Sequence, residues 1–278
     1  MKTPNRRDSQ SAFTLFELVV VIAIVAVGFA MLASGMARSG PSVQAVLCLS
    51  SKRQLCQAWR MYSDDSNGKL TPNRDGGNAG KAQADAAWVA GWLDFSASPD
   101  NTNTEFLVNH AKYQWGAYLG PYVQSASVFK CPADQSVVSI GGTLMSRVRT
   151  VSMNNYVGDL SRTWTSPSKY QLSKKYFDIL RPAQLFVFLD EREDSINDGN
   201  FESDPDTMWQ LIDYPASYHG NAGSFVFADG HTELHRWRDP RTMPVLRPGQ
   251  ILPLNVNLPG DADVLWMAQH AAGVPTYP

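Results

Sequence analysis

The densest set of groups able to bind a metal or move a proton lies near the C-terminal third. His219 is followed by nine residues and then Asp229-Gly230, and His231, Glu233 and His235 alternate just beyond. Imidazoles and carboxylates in such proximity are Zn²⁺ ligand types. Alternate residues of one strand stand about 6.7 Å apart, too far to share one ion easily at a ligand distance of about 2.1 Å. A plainer expectation is a hydrogen bond from the His219 ring to the Asp229 carboxylate that closes the loop. A second set is acidic. Asp190, Glu191, Asp194 and Asp198 fall within one loop after a short apolar run, and several oxygens in one loop suit Ca²⁺. Their spacing does not fit an EF-hand, and a solvated acidic loop is the plainer alternative. No nucleophile motif, glycine-rich phosphate loop or paired zinc motif occurs, and Ser224 lacks a nucleophile-elbow context. The expectation is a protein that is not an enzyme.

These groups need elements to hold them. Two alternating runs around Asp229-Gly230 predict a hairpin over residues 219–237, with a two-residue type I′ loop. That loop would put Phe225 and Phe227 on the face of Thr232 and Leu234. Ser224, Val226, His231, Glu233 and His235 would lie on the other face. Strands are also predicted near 147–153 and 185–189. Residues 87–93 are a candidate short strand and 109–118 a candidate helical turn.

The chain has 278 residues, 44% hydrophobic and 18% charged, with a formal net charge of −2. That charge argues against a nucleic-acid binder. Eight Trp, ten Tyr and twelve Phe argue for a packed body. Residues 18–37 carry no charge, and twenty such residues make about 30 Å of helix, one hydrocarbon thickness. Lys2, Arg6 and Arg7 precede them, which predicts a cytoplasmic N-terminus and an extracytoplasmic bulk. A signal peptide cut near residues 33–35, a plain signal anchor and a prepilin leader all fit such a segment. Glu17 decides among them, because a carboxylate at the edge of an apolar span is costly without a role.

Residues 12–18 (Ala-Phe-Thr-Leu-Phe-Glu-Leu) resemble the processing motif of type IV prepilins and pseudopilins. The resemblance implies cleavage between Ala12 and Phe13 by a prepilin peptidase, N-methylation of the new Phe13 terminus, and Glu17 as the fifth mature residue. Ala12 stands where the family usually has Gly, and its small size suits the same cut. In a filament of packed helices, Glu17 would pair with the Phe13 amino group of a neighbouring subunit and set axial register, since an unpaired buried charge is expensive.

The helix should continue to about Ser66, roughly 80 Å in all, loosened at Gly40-Pro41. Its first half would lie in lipid and its second along a sheet. An apolar stripe of Val43, Leu47, Leu55, Trp59 and Tyr62, interrupted at Ser51, faces the body. Gly68 should stop it in the left-handed region. Residues 48–55, the Phe-Lys-Cys-Pro-Ala-Asp run at 129–134 and the H-X9-DG spacing of His219, Asp229 and Gly230 resemble a prepilin-like group of planctomycete and verrucomicrobial bacteria. Cys48 and Cys131 are by that resemblance its recurring cysteines. In an oxidising compartment a disulfide between them is expected, with Cys56 as a rival partner or a buried free thiol. Calcium in a late loop of some pseudopilins adds weight to the acidic cluster.

The expected fold is α+β: a leader over 1–12, a transmembrane helix over 13–37, its amphipathic continuation over 38–68 and a globular head over 69–278. The expected role is a structural subunit of a type II secretion or type IV pilus-like filament. Its partners would be the prepilin peptidase and N-methyltransferase, other pilin or pseudopilin subunits, an inner-membrane assembly platform and membrane lipid. The alternative is a membrane-anchored extracytoplasmic metal-binding or enzymatic module.

Overall fold

The structure is a computed structural model, and it describes residues 15–123, 125–158 and 169–273, with side chains left out over 28–42. The chain divides into two compact units, residues 1–41 and 42–278. In the first unit every described side chain from 15 to 27 is exposed, including Leu15 at 81% and Phe16 at 77%. One helix, α1 (Leu15–Asp65), runs through both units. Among the described residues no helix is long and apolar enough to cross a membrane. The expected span at 13–37 falls partly outside them. Gly68 ends the helix as expected: Asn67 and Gly68 have φ of 55° and 79°, and Gly68 N donates back to Ser63 O at 2.8 Å.

Among the described residues the second unit holds two further α-helices, α2 (Glu105–Val108) and α3 (Ala262–Ala271), and the strands β1 (Val137–Ile140), β2 (Thr143–Ser146), β3 (Val151–Asn154), β4 (Phe186–Asp190), β5 (Asn200–Phe201), β6 (Gln210–Leu211), β7 (Ala222–Phe227), β8 (Thr232–Arg236) and β9 (Val256–Asn257). The central sheet has the order β5-β3-β4-β7-β8. All its pairings are antiparallel except that of β3 with β5. The fold is thus α+β, with a mixed sheet. Of the weaker expectations, residues 87–93 form no strand, and Ala87 makes a single bridge to Asn73. Residues 109–118 are turns that follow the short α2.

The sheet is apolar on both faces. On one, Leu55, Cys56, Ala58 and Trp59 of α1 pack on Val151, Met153, Val187 and Val226. On the other, Val264, Met267 and Ala271 of α3 join Phe186, Phe225, Phe227 and Trp237. Strand β7 alternates between the two clusters, as a strand buried on both sides must. Each fully buried large side chain adds about 1.5–3 kcal/mol, which is why the α1 continuation stays on the sheet. Its buried stripe differs from the expected one. Val43 and Leu47 are exposed, while Ala45, Cys48, Lys52, Leu55, Cys56, Trp59 and Ser63 are buried. The buried face follows a three- and four-residue recurrence from Ala45 to Ser63, and it includes a lysine.

Candidate functional site

Three neighbouring strands and one helix converge on Asp190, the last residue of β4. Thr150 precedes β3, Ser224 lies in β7, and α1 lays Cys48 and Lys52, one turn apart, across them. Lys52 Nζ donates to Asp190 Oδ1 at 2.6 Å and Thr150 Oγ1 donates to the same oxygen at 2.6 Å. Cys48 Sγ donates to Asp190 Oδ2 at 2.8 Å, and Ser224 Oγ donates to that oxygen as well. Burial works against both charges. The attraction between them outweighs it, holding Asp190 below the usual carboxylate range and raising Lys52 above its ordinary value. A hydrogen bond with Cys131, burial and the Asp190 charge push the Cys48 thiol upward.

Cys131 and His219 complete the cluster from two loops. Cys131 N donates to Thr150 Oγ1 at 2.8 Å, so this hydroxyl links the Cys131 backbone to Asp190. Cys131 Sγ lies 3.2 Å from His219 Nε2. The Cys48 and Cys131 sulfurs and a His219 ring nitrogen all stand within 4.8 Å of one another. The two cysteines are buried and the histidine half-buried. A cleft of about 620 Å³ opens beside them, lined by Leu47, Ser51, Lys130, Cys131, Asp134 and Arg147 among others.

The structure brings Cys48 and Cys131 together but without the expected disulfide: both thiols are free. The Cys48 thiol is engaged by Asp190 and Ser224, and the Cys131 sulfur by His219. Cys56 is also free, with its Sγ 3.5 Å from Phe227 O.

The acidic loop does not gather its carboxylates. Asp190 belongs to the cluster above. Glu191 accepts from Ser152 and Ser195 Oγ at 2.7 Å each. Asp194 holds Arg192 through two hydrogen bonds of 2.8 and 2.9 Å. Asp198 accepts from the backbone N–H groups of Gly76 and Asn200. All four are buried, and each serves a different part of the fold, so the expected Ca²⁺ set of Asp190, Glu191, Asp194 and Asp198 does not form. Burial is the reason: a carboxylate inside a protein must find its own donors, and these find them in four directions. Full burial pushes a carboxyl up even where donors reach it. Burial takes Asp213 to about 8 and Asp198 to about 6, and burial with the Asp213 charge lifts Glu191 well above its ordinary value.

The hairpin at 219–237 forms with a register one residue away from expectation. Phe227 N donates to His231 O at 3.0 Å and Gly230 N to Phe227 O at 2.8 Å. The loop therefore has three residues, 228–230, with Gly230 at φ 95°, the three-residue hairpin in which a left-handed residue makes a bulge. One residue of slip exchanges the faces. Phe225 lies opposite Glu233 and Val226 opposite Thr232, and the Phe227 and His231 rings stack at 4.3 Å. Phe225 and Phe227 thus share their face with His231, Glu233 and His235.

The hydrogen bond expected between His219 and Asp229 is absent. Between them runs all of β7, six residues and about 20 Å. Asp229 instead accepts from His231 N and lies 2.6 Å from its Nδ1. His235 stacks on Trp266 at 3.7 Å and pairs with Glu233 at 3.5 Å. His231, Glu233 and His235 form no common ligand set among the described residues.

Lys52, Thr150 and Ser224 escaped sequence reasoning. Lys52 had a signal: it stands four residues from Cys48 and four from Cys56, so two buried cysteines on one helix face place it on that face too. Thr150 and Ser224 had none, because their role depends on which strands lie side by side. Ala12 and Phe13 lie outside the described residues. Glu17 lies in α1 and is exposed.

Residues 7–33 match the family model described as the prokaryotic N-terminal methylation motif. The chain therefore carries the processing and methylation motif of type IV prepilins and pseudopilins, and over these residues it is prepilin-like. That motif implies processing by a prepilin peptidase and assembly with other pilin-type subunits. No curated protein and no solved structure matches the chain.

Proposed function

We propose that this protein is a structural subunit of a type II secretion or type IV pilus-like filament and has no enzymatic role. It would sit in the inner membrane by a single pass, with the N-terminus cytoplasmic and residues 69–278 extracytoplasmic, until an assembly platform extracts it into the filament. The observation that carries this reading is the exposure, in the single chain, of all thirteen residues from 15 to 27, nearly all of them apolar. A helix apolar on every side needs a non-aqueous neighbour, and lipid before assembly and sister helices afterwards supply one. Glu17, four residues beyond Phe13, is placed in the sequence to pair with a neighbour's new amino terminus. The resemblance carried by Cys48, Cys131 and the H-X9-DG residues His219, Asp229 and Gly230 supports the same class. Mass spectrometry of the mature N-terminus tests the reading: a methylated Phe13 is expected, and a chain starting near Met36 would overturn it.

A further inference from the structure

We infer that Cys48, Cys131 and His219 form a binding site for one borderline-soft divalent metal ion, of which Zn²⁺ is the natural example. Two thiolates and an imidazole are the donor set that Zn²⁺ prefers in tetrahedral sites. Bond lengths of about 2.3 Å to sulfur and about 2.1 Å to nitrogen put such ligands roughly 3.5–3.8 Å apart. The three ligand atoms already lie within 4.8 Å of one another, and Cys131 Sγ is 3.2 Å from His219 Nε2. Small side-chain movements therefore suffice to close the cluster on an ion.

The ligands come from α1, from the loop at 131 and from the turn before β7. Bound metal would pin the helix to the sheet at the point where Asp190 already gathers four donors. Charge favours the site as well. Two thiolates neutralise a divalent ion, while Lys52 and Asp190 neutralise each other at 2.6 Å. The buried cluster is then neutral as a whole. Metal binding displaces the proton that Cys48 Sγ now donates to Asp190 Oδ2 at 2.8 Å, and Lys52 Nζ, which donates to Cys48 Sγ at 3.9 Å, is then the outer partner that orients the thiolate. His219 is half-buried, so an ion can reach the site from its side, and solvent can occupy the fourth position. The imidazole also separates this inference from a plain disulfide, which makes no use of a ring nitrogen beside one of its sulfurs. Cys56 stands apart, against Phe227 O.

The test uses the whole chain, solubilised in detergent and supplied with Zn²⁺ under reducing conditions, with metal content and free thiols counted. One ion per chain is expected, and Co²⁺ in its place should give the intense thiolate charge-transfer and tetrahedral d–d absorption. Cys48→Ser, Cys131→Ser and His219→Ala should each lower affinity at least about tenfold, on the scale known for disturbed metal sites, while Cys56→Ser leaves it unchanged. His219 is half-exposed, so His219→Ala should keep its fold by circular dichroism and still read out binding. A chain that takes up no metal, a His219→Ala variant with unchanged Co²⁺ spectrum, or a disulfide between Cys48 and Cys131 in the native protein would overturn the inference. None of these results touches the observation that carries the filament reading, the exposed apolar segment at 15–27.

Discussion

Lys52 and Asp190 form an ion pair of 2.6 Å with both side chains shut away from solvent, at 0% and 1% exposure. Asp190 satisfies both its oxygens through four donors. A charge pair withdrawn from water in this way gains little over an apolar pair, yet it is costly to break from one side. Lys52→Met should therefore destabilise the head by about 3–5 kcal/mol. Lys52→Met combined with Asp190→Leu should recover much of that loss. Chemical denaturation of the two single variants and the double variant measures the coupling. Additive losses would show that the two groups do not act as a pair.

Stability should fall as pH rises through the neutral range. Burial lifts Asp213 from 3.8 to about 8 in the folded chain, and Glu191 is raised in the same direction. Between those values the folded state holds a proton that the unfolded state has released. The contribution is complete below the unfolded value and is lost as pH climbs toward the folded one. Asp213→Asn keeps an acceptor for Glu202 N, which now donates to Asp213 Oδ2 at 2.7 Å, and removes the titration. The variant should lose less thermal stability than the parent between about pH 5 and about pH 8. Equal slopes in the two proteins would rule out Asp213 as the source.

Gly230 closes the hairpin at φ 95°. A Cβ there would meet little, with Arg60 Nη1 at 3.9 Å as its nearest neighbour, so the strain of substitution is conformational rather than steric. Gly230→Ala should cost about 1 kcal/mol. Gly80 differs, because a Cβ there would lie 2.6 Å from Ala90 Cα as well as at φ 74°. Gly80→Ala should be the more damaging of the two, and thermal melts of both variants rank them directly.

Glu17 lies outside the packed head. Glu17→Ala should abolish or strongly reduce filament assembly while leaving the melting temperature of residues 42–278 within the full chain unchanged. Pelleting of assembled filaments, alongside a melt of the same protein, separates the two effects. Normal assembly by the variant would remove the register role.

The front of the molecule was legible in its sequence because its chemistry is local. A charge-free run of twenty residues, the basic residues before it and the Phe-Thr-Leu-Phe-Glu order can be read without knowing any fold, and residues 7–33 match the methylation motif. The four strands expected around 147–153, 185–189 and in the hairpin also formed, since alternation and runs of β-branched and aromatic residues act over a few positions. Everything that required strands to be laid side by side was decided by the tertiary structure. The hairpin register turned on whether the loop holds two residues or three, and one residue exchanged its faces. Asp190 left the acidic loop it shares in sequence and became the centre of a cluster because β3, β4 and β7 are neighbours. His219 faces Cys131 rather than Asp229, since a straight strand carries the ends of a nine-residue gap far apart while folding closes an 88-residue one to 3.2 Å. Spacing along the chain reports distance only inside one element. Between elements, distance follows from which apolar faces bury each other.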